Sequence, residues 1–165
     1  MKKSFFASIV AVSLVIAGSV GCVKNTDNGT TSGCQNTNPV LDSTALLAFA
    51  NTNKLGSFQD TLGLYYQIVT QGTGATPTAN SVIFVTFTGE LMNGAIFDST
   101  TNSASTGYTL DQLLPGWQLG LPKIQAGGHI RLLIPSDYAY GCQGSGSTIP
   151  ANSPLYFDIT LVSVE

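Results

Sequence analysis

The sequence predicts an α+β domain in which one twisted antiparallel sheet closes over one short helix, with a helical appendage ahead of it. Three observations carry that expectation. Several runs alternate apolar and polar residues with the period of two that a half-buried strand needs. Gly- and Pro-rich turns separate those runs. One stretch, DQLLPGWQLGLPKI (111–124), breaks the alternation. Its punctuation by Pro115, Gly116 and Pro122 leaves room for only about a turn and a half of helix, with Pro122 as its bound.

The N-terminus reads as a targeting segment. Met1-Lys2-Lys3 is basic, Phe5 to Val20 is almost wholly apolar or small, and the stretch ends at Gly21-Cys22. A charged start, an apolar run and small residues before a cleavage point make a secretory signal. The run is on the short side for a membrane span. A cysteine directly after the small residues resembles the lipobox of bacterial lipoproteins, where the signal is cut before the cysteine and the thiol carries diacylglycerol. Ser19 stands where that family usually has leucine. Residues 1–21 are therefore expected as a signal peptide and Cys22 as the lipidation site. The chain would then be held by its lipid on the membrane of a bacterial cell envelope, at the periplasmic face or cell surface of the outer membrane.

Such cleavage takes 21 of the 165 residues and two of the six basic ones, moving the net charge from −3 to −5. No basic patch remains that could hold nucleic acid. Residues 22–41 are polar enough to be a flexible tether behind the lipidated cysteine. The remainder, from residue 42 onward, is one domain's length.

The elements come in this order. DSTALLAFANTNK (42–54) has a helical pattern, with Asp42 or Ser43 as its cap and an apolar stripe of Leu46, Leu47, Phe49 and Ala50. Lys54 would suit the C-terminal end of the dipole. A helix this short needs a surface to pack on; it and its connection take residues 42–61. From Leu62 to Glu165 the pattern is that of strands. LGLYYQIVT (62–70) is aromatic and β-branched. SVIFVTFTG (81–89) puts Ile83, Val85 and Phe87 on one face. GGHIRLLIP (127–135) puts Ile130, Leu132 and Ile134 on one face and His129, Arg131 and Leu133 on the other. The last strand sets Leu155, Phe157, Ile159 and Leu161 against Tyr156, Asp158, Thr160 and Val162.

The pieces "FTGELMNGAIFDST", "LLPGW", "GGHIRLLIPSDYAYG" and "IPANSPLYFDITLVSVE", in that order, resemble the FKBP-type peptidyl-prolyl isomerases, the immunophilins that bind macrolide drugs. The resemblance runs from about Leu62 to Glu165. It implies a five- or six-stranded antiparallel sheet wrapped around the short helix, and a shallow apolar active site that uses no cofactor and no metal.

It also implies roles for particular residues. Trp117 matches the floor of the pocket, although a plain core aromatic is the ordinary role of such a residue. Phe97 and Phe157 match its walls, with Tyr108 beside them. Leu113 and Leu114 stand where the family has valine and isoleucine, and the Leu114 N–H matches a donor to bound peptide. Tyr140 matches a hydroxyl donor to a substrate carbonyl, and Asp98 matches the pocket carboxylate; a packing tyrosine and a turn aspartate are the plainer alternatives. Ile149 matches an apolar tip that closes over the ligand. Phe87 replaces a tyrosine whose hydroxyl helps hold the aspartate. The stretch STTNSAS (99–105) lacks the arginine often found there. Ser145 and Thr148 make the rim more polar.

His129 is the only histidine and reads as a solvated surface residue; a lone histidine makes no metal site. GCQGSGST (141–148) approximates a phosphate-binding loop but has Ser147 in place of the lysine, and Ile149-Pro150 and a strand come after it rather than a helix. It reads instead as a glycine-turned flap between Tyr140 and Ile149. Outside the cytoplasm Cys34 and Cys142 are disulfide candidates, against two unrelated thiols; the bond is expected, pinning the flap's base to the N-terminal segment.

The expected function is peptidyl-prolyl cis–trans isomerisation during folding of exported proteins, by a monomer. Proline-containing polypeptides are the expected partners, with macrolide inhibitors a further ligand class the resemblance implies. The alternative is a peptide-binding or chaperone module with weak or no isomerase activity.

Overall fold

The computed structural model describes residues 34, 39–56, 58–59, 62–102 and 107–165. The expected signal segment 1–21, Cys22 and nearly all of the linker lie outside the described residues.

The first element is α1 (Pro39–Thr52). It starts ahead of Asp42 and Ser43, so neither caps it. Proline suits a helix's first turn, because it has no N–H to leave unpaired and its φ is already helical. Asp42 instead lies in that first turn, where a carboxylate suits the dipole. Its Oδ2 accepts the backbone N–H of Ser136 at 2.6 Å, a contact 94 residues away in sequence. Leu46, Phe49 and Ala50 form the buried stripe, while Leu47 is 44% exposed. Positions i, i+3 and i+4 share a helix face and i+1 turns about 100° away, so Leu47 leaves the expected stripe. Lys54 comes after the helix in a left-handed conformation, φ 53°, instead of sitting in its last turn.

The strands are β1 (Phe58–Gln59), β2 (Tyr65–Thr70), β3 (Val82–Leu91), β4 (Ile96–Thr100), β5 (Tyr108–Thr109), β6 (Gly128–Ile134) and β7 (Leu155–Val164). All pairings are antiparallel, in the order β1-β2-β6-β7-β3-β4, with the two-residue β5 also on β3. The sheet is thus six strands wide, and the short β1, β4 and β5 were not separately legible in the alternation. The short helix α2 (Pro115–Gly120) has Pro115 at its start and runs into a 3₁₀ turn, Leu121–Lys123. Pro122 lies inside that turn rather than bounding the helix, because early 3₁₀ positions, like early α positions, need no N–H.

Alternation in β6 and β7 makes two different faces from the same two strands. Leu132 pairs with Phe157 and Ile130 with Ile159, and these four are buried in the main core with Leu121, Ile83 and Val85. One residue along, Arg131 pairs with Asp158 and Leu133 with Tyr156, on the opposite face. There Leu133, Tyr156 and Tyr65 receive Leu46, Phe49 and Ala50 of α1. The Phe49 and Tyr156 rings sit 5.0 Å apart. Burying Leu46 and Phe49 contributes about 1.5–3 kcal/mol each, which holds a helix too short to stand alone.

His129 is half-buried on that outer face, not solvated. Its Nε2 bonds Asp158 Oδ1; Arg131 Nε donates to Asp158 Oδ2 at 2.9 Å and the Tyr156 hydroxyl to the same oxygen at 3.2 Å. Arg131 also reaches Gln67 Oε1 at 3.3 Å. Burial alone would raise the Asp158 carboxyl's pKa, but hydrogen bonds from Arg131 and His129 outweigh it and hold the pKa below the usual value.

Candidate active site

The inner face opens at one end into a cleft of about 160 Å³. It is open to solvent at the mouth. It is lined by Phe87, Phe97, Asp98, Tyr108, Leu113, Leu114, Trp117, Tyr140 and Phe157.

Trp117 is the third residue of α2, 5% exposed, and its neighbours Gly116 and Gly120 let the helix lie directly on Ile134 and Leu132. Phe157 comes up from β7 to meet it. The Trp117 and Phe157 ring centroids are 5.2 Å apart at 89°, Phe87 and Trp117 5.2 Å at 85°, and Phe97 and Phe157 5.5 Å at 88°. Edge-to-face packing fixes each ring by the next, worth about 0.5–1.5 kcal/mol per pair beyond area burial. Gly89 makes room for this. A Cβ there would come within 2.6–2.9 Å of the Phe97 and Phe157 rings.

Phe97 and Asp98 are consecutive, yet both line the cleft. In a regular strand they would point to opposite faces. The β3–β4 register shifts between Gly89, paired with Asp98, and Glu90, paired with Ile96, so two residues of β4 oppose one step of β3. A bulge of this kind re-aims a side chain. Leu113 and Leu114 arrive on the turn ahead of α2. The Trp117 and Gln118 N–H groups both donate to the Leu114 carbonyl. The Leu114 N–H itself meets no backbone acceptor among the described residues. The indole N–H of Trp117 is also buried without an acceptor among them.

Tyr140 stands at the mouth, 37% exposed. Burial, and then the Asp98 carboxylate, push its hydroxyl above the usual tyrosine value. It therefore stays protonated, and able to donate, at neutral pH. Asp98 is exposed at its strand position.

The flap begins at Gly141–Gln143, a 3₁₀ turn. Gly144 then takes φ +66°, which a residue with a side chain rarely adopts. Ser145 and Ile149 exchange backbone hydrogen bonds at 2.8 and 3.0 Å, closing the flap on itself. That closure turns Ile149 inward. It is 5% exposed and packs in the same core cluster as Trp117 and Phe157, two residues of the cleft. No helix comes after 141–148, as a phosphate-binding loop would need. Cys34 and Cys142 are joined in a disulfide, Cα to Cα 5.6 Å, across 108 residues.

Sheet, short helix and aromatic cleft define a class: an α+β domain whose open cleft is walled by aromatic rings, with the Leu114 N–H and the Tyr140 hydroxyl beside them. Residues 74–162 match the family FKBP-type peptidyl-prolyl cis-trans isomerase, and the chain belongs to it. It is 39% identical over 117 residues to an FKBP-type peptidyl-prolyl cis-trans isomerase FkpA of Aeromonas hydrophila, covering 70% of this chain and 43% of that one. An outer membrane protein MIP of Legionella longbeachae is 37% identical over 117 residues, covering 70% of this chain and 50% of that one. A crystal structure of a peptidyl-prolyl cis-trans isomerase from Pseudomonas syringae superposes with a TM-score of 0.65 at 33% identity, covering 79% of this chain and 98% of that one. The chain thus spans half or less of the length of these two curated relatives.

Proposed function

We propose that the chain is an active peptidyl-prolyl cis–trans isomerase that works on X-Pro bonds of exported polypeptides in the bacterial cell envelope. The observation that carries this reading is the cleft: four aromatic rings, Phe87, Phe97, Trp117 and Phe157, locked edge to face around a small apolar space.

The chemistry asks for little else. Turning an amide between cis and trans breaks no bond, but the barrier of about 18–20 kcal/mol comes from resonance that planarity maintains. The planar form is charge-separated and well solvated by water. Moving the amide carbonyl into a dry aromatic cleft removes that solvation and favours the twisted form relative to it. Stabilising the twisted amide more than the planar one is the whole catalytic task. In this reading Phe97, Phe157 and Trp117 hold the proline ring, with Phe87, Tyr108, Leu113 and Leu114 keeping water out. The Leu114 N–H and the Tyr140 hydroxyl fix the flanking carbonyls, so the chain on one side is held while the other turns. Asp98 acts at the mouth, beside Tyr140.

The envelope setting rests on the secretory pattern of residues 1–21 and the lipobox-like Gly21-Cys22. We read Cys22 as lipidated, with the disulfide in keeping with an oxidising compartment. Mass spectrometry of the exported chain tests this: a mass for residues 22–165 plus acylation is expected, and an unmodified Cys22 contradicts it.

The test of the activity is acceleration of cis–trans exchange in a short X-Pro peptide. Peptide binding without acceleration would move the reading to a peptide-holding module.

A further inference from the structure

Charge is distributed one-sidedly around the cleft. The stretches that line it, 87–98, 108–117 and 137–157, carry Glu90, Asp98, Asp111 and Asp137 and not one Lys or Arg. Of these, Asp98 is the one whose side chain lines the cleft. Its field is felt by the Tyr140 hydroxyl at the mouth. Glu90 acts instead on Tyr156, on the opposite face of the sheet. Asp111 is exposed two residues before Leu113, while Asp137, in the turn three residues before Tyr140, feels the Asp42 carboxylate of α1.

The described cations are all engaged or placed elsewhere. Lys123 lies over the Tyr66 ring at 4.7 Å, Arg131 donates to Asp158, and Lys54 sits just past α1. Residues 103–106, next to β4, read Ser-Ala-Ser-Thr and bring none. Asp98 is therefore an exposed carboxylate at an apolar cleft, with no cation among the described residues to neutralise it.

Resting on the isomerase reading, we propose that Asp98 gives the cleft a charge preference: it selects polypeptides with Lys or Arg beside the X-Pro bond and disfavours Asp or Glu there. The proline ring fills the aromatic cleft. A neighbouring lysine lays its aliphatic stem on the apolar rim and brings its ammonium to the carboxylate. No cation among the described residues stands at the cleft to cancel the carboxylate's charge. An acidic neighbour meets repulsion from Asp98.

Trp117 is the only tryptophan and lines the cleft, so its fluorescence reports occupancy without requiring turnover. The test uses the folded mature chain and two sets of short peptides. One set carries Lys, Gln or Glu directly before the proline, the other directly after it. In at least one set, Lys peptides should bind ~3–10-fold tighter than Glu peptides at low salt, the range expected of a partly exposed ion pair gained in one and a repulsion avoided in the other. The ratio should shrink at ~0.5 M salt as screening grows. Asp98→Asn should bring Lys and Glu peptides to within ~2-fold, whatever it does to the rate, while Asp98→Glu should keep the preference. Equal affinities in both sets, no binding of any peptide, or a preference that persists in Asp98→Asn would overturn the proposal. A lack of isomerisation with charge-dependent binding intact would count against the activity alone.

Discussion

The two faces of the β6–β7 pair are built from alternating residues of the same strands, yet they do opposite things. The inner face is nearly free of polar partners: Leu132 and Phe157 lead to the aromatic cleft, where even the Trp117 N–H has no acceptor among the described residues. The outer face satisfies its polar groups against one another, with Asp158 bonded by His129, Arg131 and Tyr156. In the proposed reading, the apolar inner face is what acts on an amide, by offering its carbonyl less solvation than water does. The outer face is where charge can be kept without disturbing that dryness. Substitutions on the two faces should therefore separate activity from acid stability.

The largest effect should come from the residue that belongs to both core and cleft. Phe157→Ala should destabilise the domain by about 3–5 kcal/mol, as large buried aromatics do, and remove isomerisation with it; denaturant unfolding and peptide exchange read the two losses. A variant that stays stable would mean the inner face is not packed as described. Next, opening the Cys34–Cys142 bond should lower stability by about 2–4 kcal/mol if the 108-residue loop it closes constrains the unfolded chain. Thiol titration of the unfolded, unreduced mature chain should find neither of these cysteines reactive, and two reactive thiols would contradict the bond.

Smaller effects sharpen the contrast. Tyr140→Phe removes one donor at the mouth and should cost about 1 kcal/mol of transition-state binding, roughly a five-fold fall in kcat/KM. Its melting temperature should hardly move, since the side chain is over a third exposed. On the outer face, Asp158→Asn should leave activity near that of the parent. The Asp158 carboxyl is held below its usual value of 3.8 in the folded chain, so its stabilisation is present above that pH and lost as pH falls through the folded value. Unfolding tracked from pH 5 down to 2 should show a shallower acid limb for the Asn variant. An unchanged acid limb would mean the outer network contributes nothing.

Much of this was legible in the sequence, for reasons that differ by element. The alternation of β6 and β7 is clear along Gly128–Leu132 and Phe157–Leu161, so parity placed Phe157 and Leu132 on the inner face, although Leu133 and Tyr156 are buried too, on the other side under α1. The helix around Trp117 could be found from its prolines. What parity could not show is that Phe97 and Asp98 share a face, since a bulge opposite Gly89 reverses the rule there. Resemblance to a family, not periodicity, brought those two residues together. The Asp42–Ser136 contact joins residues 94 apart and leaves no local trace, so Asp42 read as a cap. His129 read as a surface residue because its partner, Asp158, becomes adjacent only once the β6–β7 register is known.

The central claim is that the dry aromatic cleft lowers the barrier to X-Pro rotation. Its most direct test is exchange NMR on a short X-Pro peptide with the folded parent and with Phe97→Ala, whose half-buried ring lines the cleft without anchoring the core. The parent should speed exchange well above the uncatalysed time of tens of seconds, and Phe97→Ala, still folded, should lose at least ~10-fold of that acceleration, the loss of about 1.4 kcal/mol of transition-state binding. No acceleration by the folded parent, or full acceleration by Phe97→Ala, would contradict the account.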